Sequence, residues 1–174
     1  MTVTLRTASS EDDLVAVGRV HQRSRVAAYA GILSASTLAL RTEEAFGEWW
    51  TERYRWEKDT HRLTLAVDSS GEVIGFSYVG PSETPGAVEL YAIHVLPSAL
   101  GTGVGRQLMV DALTSLAALG EPRAVLWVLE ANSRARDFYV AGGWKPDGAT
   151  REEPVNGEPV AQLRYMIDLR RAFS

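Results

Sequence analysis

The spacing of the hydrophobic positions changes near residue 60 of this chain. Before that point apolar side chains recur every three or four residues, which predicts helices. Ser10 and Asp13 fit the start of a capping box, which predicts that the first helix begins directly after Ser10. A short alternating run at residues 3–8 predicts a strand before this helix, and residues 29–58 are predicted to form one or two further helices.

Beyond residue 60 the pattern is mainly that of strands. Two β-rich runs, residues 62–68 and 73–80, flank a polar turn with a glycine, which predicts an antiparallel hairpin. The other predicted elements are a strand at 88–96, a helix at 104–119, a strand at 124–130, a short helix at 132–144 and a strand at 160–169, with loops at 81–87 and 145–158. This order predicts a single mixed α/β domain over residues 1–174.

Composition and charge narrow the functional classes. The chain is 45% hydrophobic and 23% charged, as in an ordinary globular protein, and its net charge of -4 does not favour nucleic acid or an anionic membrane as a partner. The absence of cysteine excludes a disulfide framework and a catalytic thiol. His21, His61 and His94 lack metal-ligand spacing, so no metal site is predicted. Without a signal-peptide pattern at its start, the chain is expected to be cytoplasmic.

Three closely spaced glycines precede the helix predicted at 104–119. Gly101, Gly103 and Gly105 would let a phosphate approach the unpaired N–H groups at the start of that helix. The same glycines also suit a tight turn that binds no ligand. A dinucleotide fingerprint fits poorly, because its last glycine would fall on Arg106, and no Gly-Lys-Ser/Thr sequence follows for a nucleotide triphosphate loop.

Two stretches together resemble the core motifs of the GNAT superfamily of acetyl-CoA-dependent N-acetyltransferases. They are ELYAIHVLPSALGTGVGRQLM at residues 89–109 and LWVLEANSRARDFYVAGGWKPDG at residues 126–148. The resemblance implies an acyl-CoA N-acyltransferase fold, with a central mixed, mostly antiparallel sheet flanked by helices. It also implies acetyl-CoA as the co-substrate.

The resemblance assigns the glycine loop to the pyrophosphate of the cofactor and the strand before it to the pantetheine arm. In the family this strand carries a bulge, and the N–H of Val95 would hold the thioester carbonyl. Leu100 departs from the family pattern, which has Arg or Gln there. Asn132 would contact the cofactor, and it also suits a helix N-cap. The resemblance implies these cofactor-binding residues: Ile93, His94, Val95, Leu100, Gly101, Thr102, Gly103, Val104, Gly105, Arg106 and Asn132.

Tyr139 is the catalytic acid that the resemblance implies. A phenol near the sulfur can give a proton to the thiolate that leaves when an amine attacks the thioester. A structural alternative is that Phe138 and Tyr139 form an aromatic pair that packs the short helix on the sheet.

Glu89 is the candidate general base, acting directly or through water on the attacking amine. A solvated acid at the end of a strand is an equally good interpretation. His94 is a second candidate, but strict alternation places it on the opposite face of the strand from Glu89 unless a bulge intervenes.

These features predict an N-acetyltransferase that moves acetyl from acetyl-CoA to a primary amine by direct attack in a ternary complex. A longer acyl donor, a CoA-binding regulatory domain without turnover and a nicotinamide-dependent reductase remain as alternatives. The acceptor, a small molecule or a peptide, has no motif that identifies it, and the acidic net charge favours cationic small molecules slightly. The resemblance to the family also makes a homodimer a candidate assembly.

Overall fold

The computed structural model describes residues 2–171, which form a sheet with helices on both faces. Its strands are β1 (Thr4–Thr7), β2 (Arg62–Val67), β3 (Val73–Pro81), β4 (Ala87–Val95), β5 (Arg123–Leu129), β6 (Lys145–Glu152) and β7 (Ala161–Asp168). Its helices are α1 (Glu11–Tyr29), α2 (Ala35–Ala39), α3 (Glu43–Glu57), α4 (Val104–Ala117) and α5 (Ser133–Ala141), with a 3-10 turn at Pro97–Ala99.

The seven strands lie in the order β1-β2-β3-β4-β5-β7-β6. The pairing of β4 with β5 is parallel, and every other pairing in the described sheet is antiparallel. The predicted hairpin is the β2–β3 pair, and the two helices α2 and α3 fill the segment predicted as one or two helices. The mixed, mostly antiparallel α/β architecture is therefore confirmed.

The predicted loop at 145–158 is wrong for its first half, which forms strand β6. Pro146 and Gly148 are typical of turns, so the sequence pattern of this segment does not indicate a strand. The sheet accommodates both residues because β6 is an edge strand, and its pairing with β7 shifts register between Pro146 and Thr150. Proline and glycine are tolerated at edges and bulges, where a missing donor or side chain costs little.

The start of α1 follows the predicted capping pattern. The Ser10 hydroxyl accepts a hydrogen bond from the N–H of Asp13 at 3.2 Å. The Asp13 carboxylate in turn accepts from Arg6 at 2.8 Å and from the N–H of Ser9 at 2.9 Å. The hydrogen bond from Arg6 is the largest cause that lowers the pKa of Asp13 to about 2, so this pair ties β1 to the first turn of α1.

Neighbouring residues of β3 face helices on different sides of the sheet. Phe76 contacts Trp50 of α3 with ring centroids 5.3 Å apart. A Cβ at the adjacent Gly75 would lie 3.1 Å from Leu108 of α4. Because successive residues of a strand face opposite sides, α3 and α4 lie on opposite faces of the sheet. Helix α1 lies beside α3, so these two helices cover one face together.

Candidate functional site

The site is centred where β4 and β5 diverge. Their parallel pairing covers only the three positions from Ala87–Arg123 to Glu89–Val125. Beyond Glu89, β4 remains paired with β3 on its other side up to Val95. The second half of β4 therefore presents one edge to a cleft.

A bulge lies at the start of this free edge. Tyr78 is opposite Ala92 and Val79 is opposite Leu90, so Tyr91 is the extra residue in β4. Residues opposite one another in an antiparallel pair share a face, and His94 is opposite Phe76. Glu89 is opposite Gly80, so Glu89 and His94 lie on the same face of the strand. The prediction from strict alternation, which placed them on opposite faces, is wrong because the bulge inserts one extra residue between them.

A cavity of about 550 Å³ fills the cleft. It runs from the loop before α4, along the free edge of β4, to helices α1 and α5. Among the residues predicted from the sequence it is lined by Ile93, His94, Val95, Leu100, Gly101, Gly103, Gly105, Arg106, Asn132 and Tyr139. Thr102, Val104 and Glu89 do not line it.

The glycine loop opens the start of α4 toward this cavity. Gly103, the N-cap, has φ 92° and Gly101 has φ 77°, a backbone conformation that glycine adopts without strain. A Cβ at either position would meet nothing within 4 Å. The backbone hydrogen bond from Gln107 to the Gly103 carbonyl, at 3.0 Å, closes the first turn. The N–H groups at 104–106 therefore have no carbonyl acceptor in the helix.

Two of the loop side chains are committed elsewhere. Val104 is 1% exposed in the core. The Thr102 hydroxyl donates to the Ala99 carbonyl at 2.5 Å. These residues can serve a ligand only through their backbone N–H groups. Leu100, at the position where the family has Arg or Gln, is 40% exposed beside the cavity.

The backbone of β4 directs a donor into the cleft. The N–H of Leu96 bonds to the Ile74 carbonyl on β3 at 2.8 Å. Because successive N–H groups of a strand point to opposite edges, the N–H of Val95 points away from β3, toward the free edge. This is the geometry required of a donor to a thioester carbonyl lying along β4.

Tyr139 reaches the cavity from α5. Burial, with a smaller effect of Tyr29, raises the pKa of Tyr139 well above its ordinary value, so the phenol keeps its proton at neutral pH. Its ring also contacts Phe138, with centroids 5.6 Å apart. Asn132 caps the same helix, where its Oδ1 accepts from the N–H of Ala135 at 3.2 Å, and it also lines the cavity. The cap and the ring contact are therefore present, and neither excludes a chemical role for these residues.

Glu89 lies next to the cavity wall rather than on it. Burial raises the pKa of this carboxyl, and Tyr91, Arg151 and Arg53 partly offset the rise. Tyr91 does line the cavity, and its hydroxyl donates to the Pro81 carbonyl. A proton could reach Glu89 from the cavity only through water or by way of Tyr91.

His94 lines the cavity in a neutral form. Burial, with a smaller contribution from Arg25, lowers its pKa to about 4. Its Nδ1 lies 2.9 Å from the Ser24 hydroxyl, and its ring centroid lies 4.6 Å from that of His21. A base with so low a pKa is poorly matched to an ammonium group, which leaves Glu89 as the better candidate.

The sequence analysis did not select several residues of the cavity wall. Ser24 and Tyr29 come from α1, Trp127 comes from β5, and Arg134 comes from the first turn of α5. Of these, Trp127 and Arg134 carried a signal, since both lie within the second motif at residues 126–148. The others reach the cavity through packing between distant parts of the chain.

Residues 2–171 contain neither a cluster of metal-binding side chains nor a membrane-spanning helix. No group of three or more His, Asp or Glu side chains in that range is arranged to hold a metal ion. No helix there combines the length and the apolar character needed to cross a membrane.

Comparison with known proteins identifies the family. Residues 32–143 match the model of the acetyltransferase (GNAT) family. This match covers more than half of the chain, so the protein belongs to that family. Membership confirms the resemblance noted in the two motifs and the class of protein that it implies, the acetyltransferase (GNAT) family.

Individual relatives agree with this class. The chain is 30% identical over 136 residues to a mycothiol acetyltransferase of Jonesia denitrificans, covering 78% of this chain and 39% of that protein. It is 32% identical over 105 residues to a protein of Mycobacterium tuberculosis described as a probable N-acetyltransferase, covering 58% of each. The chain thus spans about two fifths and three fifths of the lengths of these relatives.

A solved structure supports the fold. The PaiA N-acetyltransferase of Thermoplasma acidophilum, solved in complex with coenzyme A, superposes with a TM-score of 0.76. The alignment covers 97% of this chain and 99% of that one, with 21% sequence identity. The two proteins therefore share a fold, which confirms the predicted acyl-CoA N-acyltransferase architecture.

Proposed function

We propose that this protein transfers acetyl from acetyl-CoA to a primary amine by direct attack in a ternary complex. One observation carries the proposal: a single cavity joins the free edge of β4, the open start of α4 and the Tyr139 side chain. Family membership supports the same chemistry. The relatives compared above are named acetyltransferases, so a CoA-binding domain without turnover gains no support from them.

The residues at the start of α4 fit the diphosphate of CoA. The N–H groups at 104–106 lack a helical acceptor, and the glycines before them leave room for a ligand against the backbone. Arg106 and Arg134 line the same cavity and would add positive charge for the phosphate groups. The free edge of β4 would pair with the amides of the pantetheine arm as an added strand does.

The reaction then needs three contributions from the protein. The N–H of Val95 donates to the thioester oxygen, where negative charge grows as the amine nitrogen bonds to the carbonyl carbon. When the carbon–sulfur bond breaks, Tyr139 gives its proton to the departing thiolate. Glu89 takes up the proton that the amine loses, by way of water, and the phenol is then reprotonated from solvent.

Two measurements test this proposal together. Thiol release from acetyl-CoA is followed across a panel of primary amines, and the melting temperature is measured with CoA and, for comparison, with NAD(P). We expect a rise in melting temperature with CoA but not with NAD(P), and thiol release that depends on the amine. CoA binding without turnover on a broad panel would instead favour a binding domain, and a rise with NAD(P) would contradict the assignment of the loop.

A further inference from the structure

Four arginine side chains make no hydrogen bond or ion pair within residues 2–171. Two of them, Arg106 and Arg134, line the cavity where the CoA phosphates are proposed to bind. The other two, Arg25 and Arg41, lie together beside α1 and have no role in the proposed chemistry. The other arginines in this part of the chain bond to carboxylates, hydroxyls or carbonyls, as Arg23 does to Glu43 at 2.7 Å.

Arg25 and Arg41 contact the same aromatic ring. Their guanidinium carbons lie 5.6 Å and 4.6 Å from the centroid of Phe46. Arg25 is half-buried, and its NH1 group is fully buried without a hydrogen-bond acceptor. Burial, together with the nearby Arg41, lowers the pKa of Arg25.

This arrangement is unfavourable as it stands. Two like charges repel each other, and a buried donor without an acceptor loses its hydration without compensation. The aromatic ring offsets part of this cost through cation–π attraction, but it supplies no hydrogen-bond acceptor. An oxyanion that reaches the guanidinium groups would satisfy both the charge and the buried donor.

Neither Arg25 nor Arg41 is on the wall of the cavity, but both lie behind the part of the wall that the C-terminal half of α1 forms. Ser24 and Tyr29 line the cavity on either side of Arg25 in the sequence, and the Arg25 guanidinium carbon lies 6.0 Å from the Tyr29 ring centroid. Among the residues that form the cavity wall none is an aspartate or a glutamate. The protein therefore supplies no anion from this wall, and neither arginine has a carboxylate partner within residues 2–171.

We infer that Arg25 and Arg41 bind an oxyanion of the acceptor, so that the acceptor is a primary amine that also carries a carboxylate or a phosphate group. The inference rests on the proposed acetyl transfer and names its substrate class. It is opposite to the slight preference for cationic acceptors predicted from the net charge, because the cavity wall holds no Asp or Glu, and the acids of α1 itself, Glu11, Asp12 and Asp13, lie in its first turn, at the other end of the helix from Arg25.

The first experiment measures oxyanion binding without turnover. The protein is saturated with CoA, which occupies the other phosphate site, and its melting temperature is followed as inorganic phosphate is added, against sodium chloride of equal ionic strength. We expect a saturable rise of a few degrees in the wild type and in the control Arg23→Gln, and no rise in Arg25→Gln or Arg41→Gln.

The starting stability of the variants separates ligand binding from a structural role. Removing one of two repelling charges should leave the melting temperature of Arg25→Gln, without phosphate, equal to or above that of the wild type. No effect of phosphate on the wild type, or an equal rise in Arg25→Gln, would overturn the inference.

The second experiment measures selectivity. Glycine, β-alanine and γ-aminobutyrate are each compared with their amides as acceptors, and O-phosphoethanolamine is compared with ethanolamine. At least one anionic member should exceed its neutral partner about tenfold or more in kcat/KM, mainly through KM, and Arg25→Gln should remove the difference. The amino group of each amide is less basic than that of the corresponding acid, so at a given pH the amide has the larger fraction of free amine. A preference for the acid therefore cannot arise from the amount of free amine.

The preferred pair also shows which oxyanion the site accepts. Turnover without preference for any anionic member would overturn the inference while leaving acetyl transfer intact. A failure of the proposed function would look different, because CoA would then not raise the melting temperature of the protein and no amine would cause thiol release from acetyl-CoA. The phosphate titration still decides the oxyanion site when none of these amines is turned over.

Discussion

At the scale of single residues, burial determines which candidates can act. Tyr139 stays protonated because its cavity disfavours the phenolate, and it can therefore donate a proton. His94 stays neutral for the same reason, with its pKa lowered to about 4. Glu89 has its pKa raised by burial, which brings a carboxyl closer to the range in which it is useful as a base.

We predict that Tyr139→Phe lowers kcat about 10²–10⁴-fold, the usual contribution of general acid catalysis, if thiolate departure limits the rate. The ring still packs, so folding, CoA binding and the KM of the acceptor should change little. Tyr165→Phe is the matched control, because that buried hydroxyl accepts from Arg136 at 3.0 Å and does not line the cavity. Near-normal kcat in Tyr139→Phe would make this tyrosine a packing residue only.

We predict that Glu89→Gln reduces turnover most at pH values between the pKa of Glu89 and the pKa of the amine. In that window the wild-type carboxylate is ionised and the amine still carries its extra proton, whereas above it the amine needs no base. The raised pKa of Glu89 places the acidic limb of the profile at a higher pH than for an ordinary glutamate. Glu121→Gln, at an exposed acid outside the cavity wall, controls for the change in charge, and identical pH profiles for both variants would exclude Glu89 as the base.

At the scale of elements, a short loop connects the strand that lines the cleft to the helix that would bind phosphate. The 3-10 turn and the two glycines with positive φ allow the chain to leave β4 and enter α4 within a few residues. The loop thereby places the start of α4 at one end of the cavity. The phosphate binding proposed for this loop depends on backbone N–H groups, so it tolerates Leu100 in place of the Arg or Gln of the family pattern.

We predict that Gly103→Glu abolishes the rise in melting temperature caused by CoA, because a carboxylate there would repel the phosphates. A glutamate at positive φ also costs about 1–2 kcal/mol of stability. Gly120→Glu is the matched control for this cost, since Gly120 has φ 90° against 92° for Gly103 and a Cβ there also meets nothing within 4 Å. A full CoA response in folded Gly103→Glu would refute the phosphate loop, and Leu100→Arg should bind CoA at least as well as the wild type.

At the scale of the whole molecule, the crossing of α1 over α3 positions one wall of the cavity. The helices meet at Gly18, where a Cβ would lie 2.3 Å from the backbone nitrogen of Gly47. The C-terminal half of α1 then carries Ser24 and Tyr29 to the cavity. A close helix contact outside the cavity thus decides where this wall of the cavity lies.

We predict that Gly18→Ala destabilises the protein while Gly47→Ala does not. Both changes raise helix propensity by about 1 kcal/mol, but only the Cβ at Gly18 clashes, since a Cβ at Gly47 comes no closer than 3.5 Å to Val15. Gly18→Ala should cost about 2 kcal/mol net and lower the melting temperature by about 4–8 °C. Equal melting temperatures for the two variants would show that the helices separate without cost.

The sequence by itself determined the features that depend on neighbouring residues. The hydrophobic period predicted most helices and strands, the capping pattern predicted the start of α1, and the glycines predicted the open start of α4. The motif around Tyr139 predicted a residue that does line the cavity. Each of these is a local signal, because backbone conformation and helix ends respond to residues only a few positions away.

Only the tertiary structure decided the features that depend on contacts between distant segments. The bulge at Tyr91 arises from pairing with β3, and it moved His94 to the face of Glu89. β6 is a strand because the sheet offers it an edge, despite its proline and glycine. The meeting of Arg25 and Arg41 over one ring follows from the packing of α1 against the segment after α2. The spacing of residue types along the chain does not predict such contacts, because they form only when the helices and strands pack together.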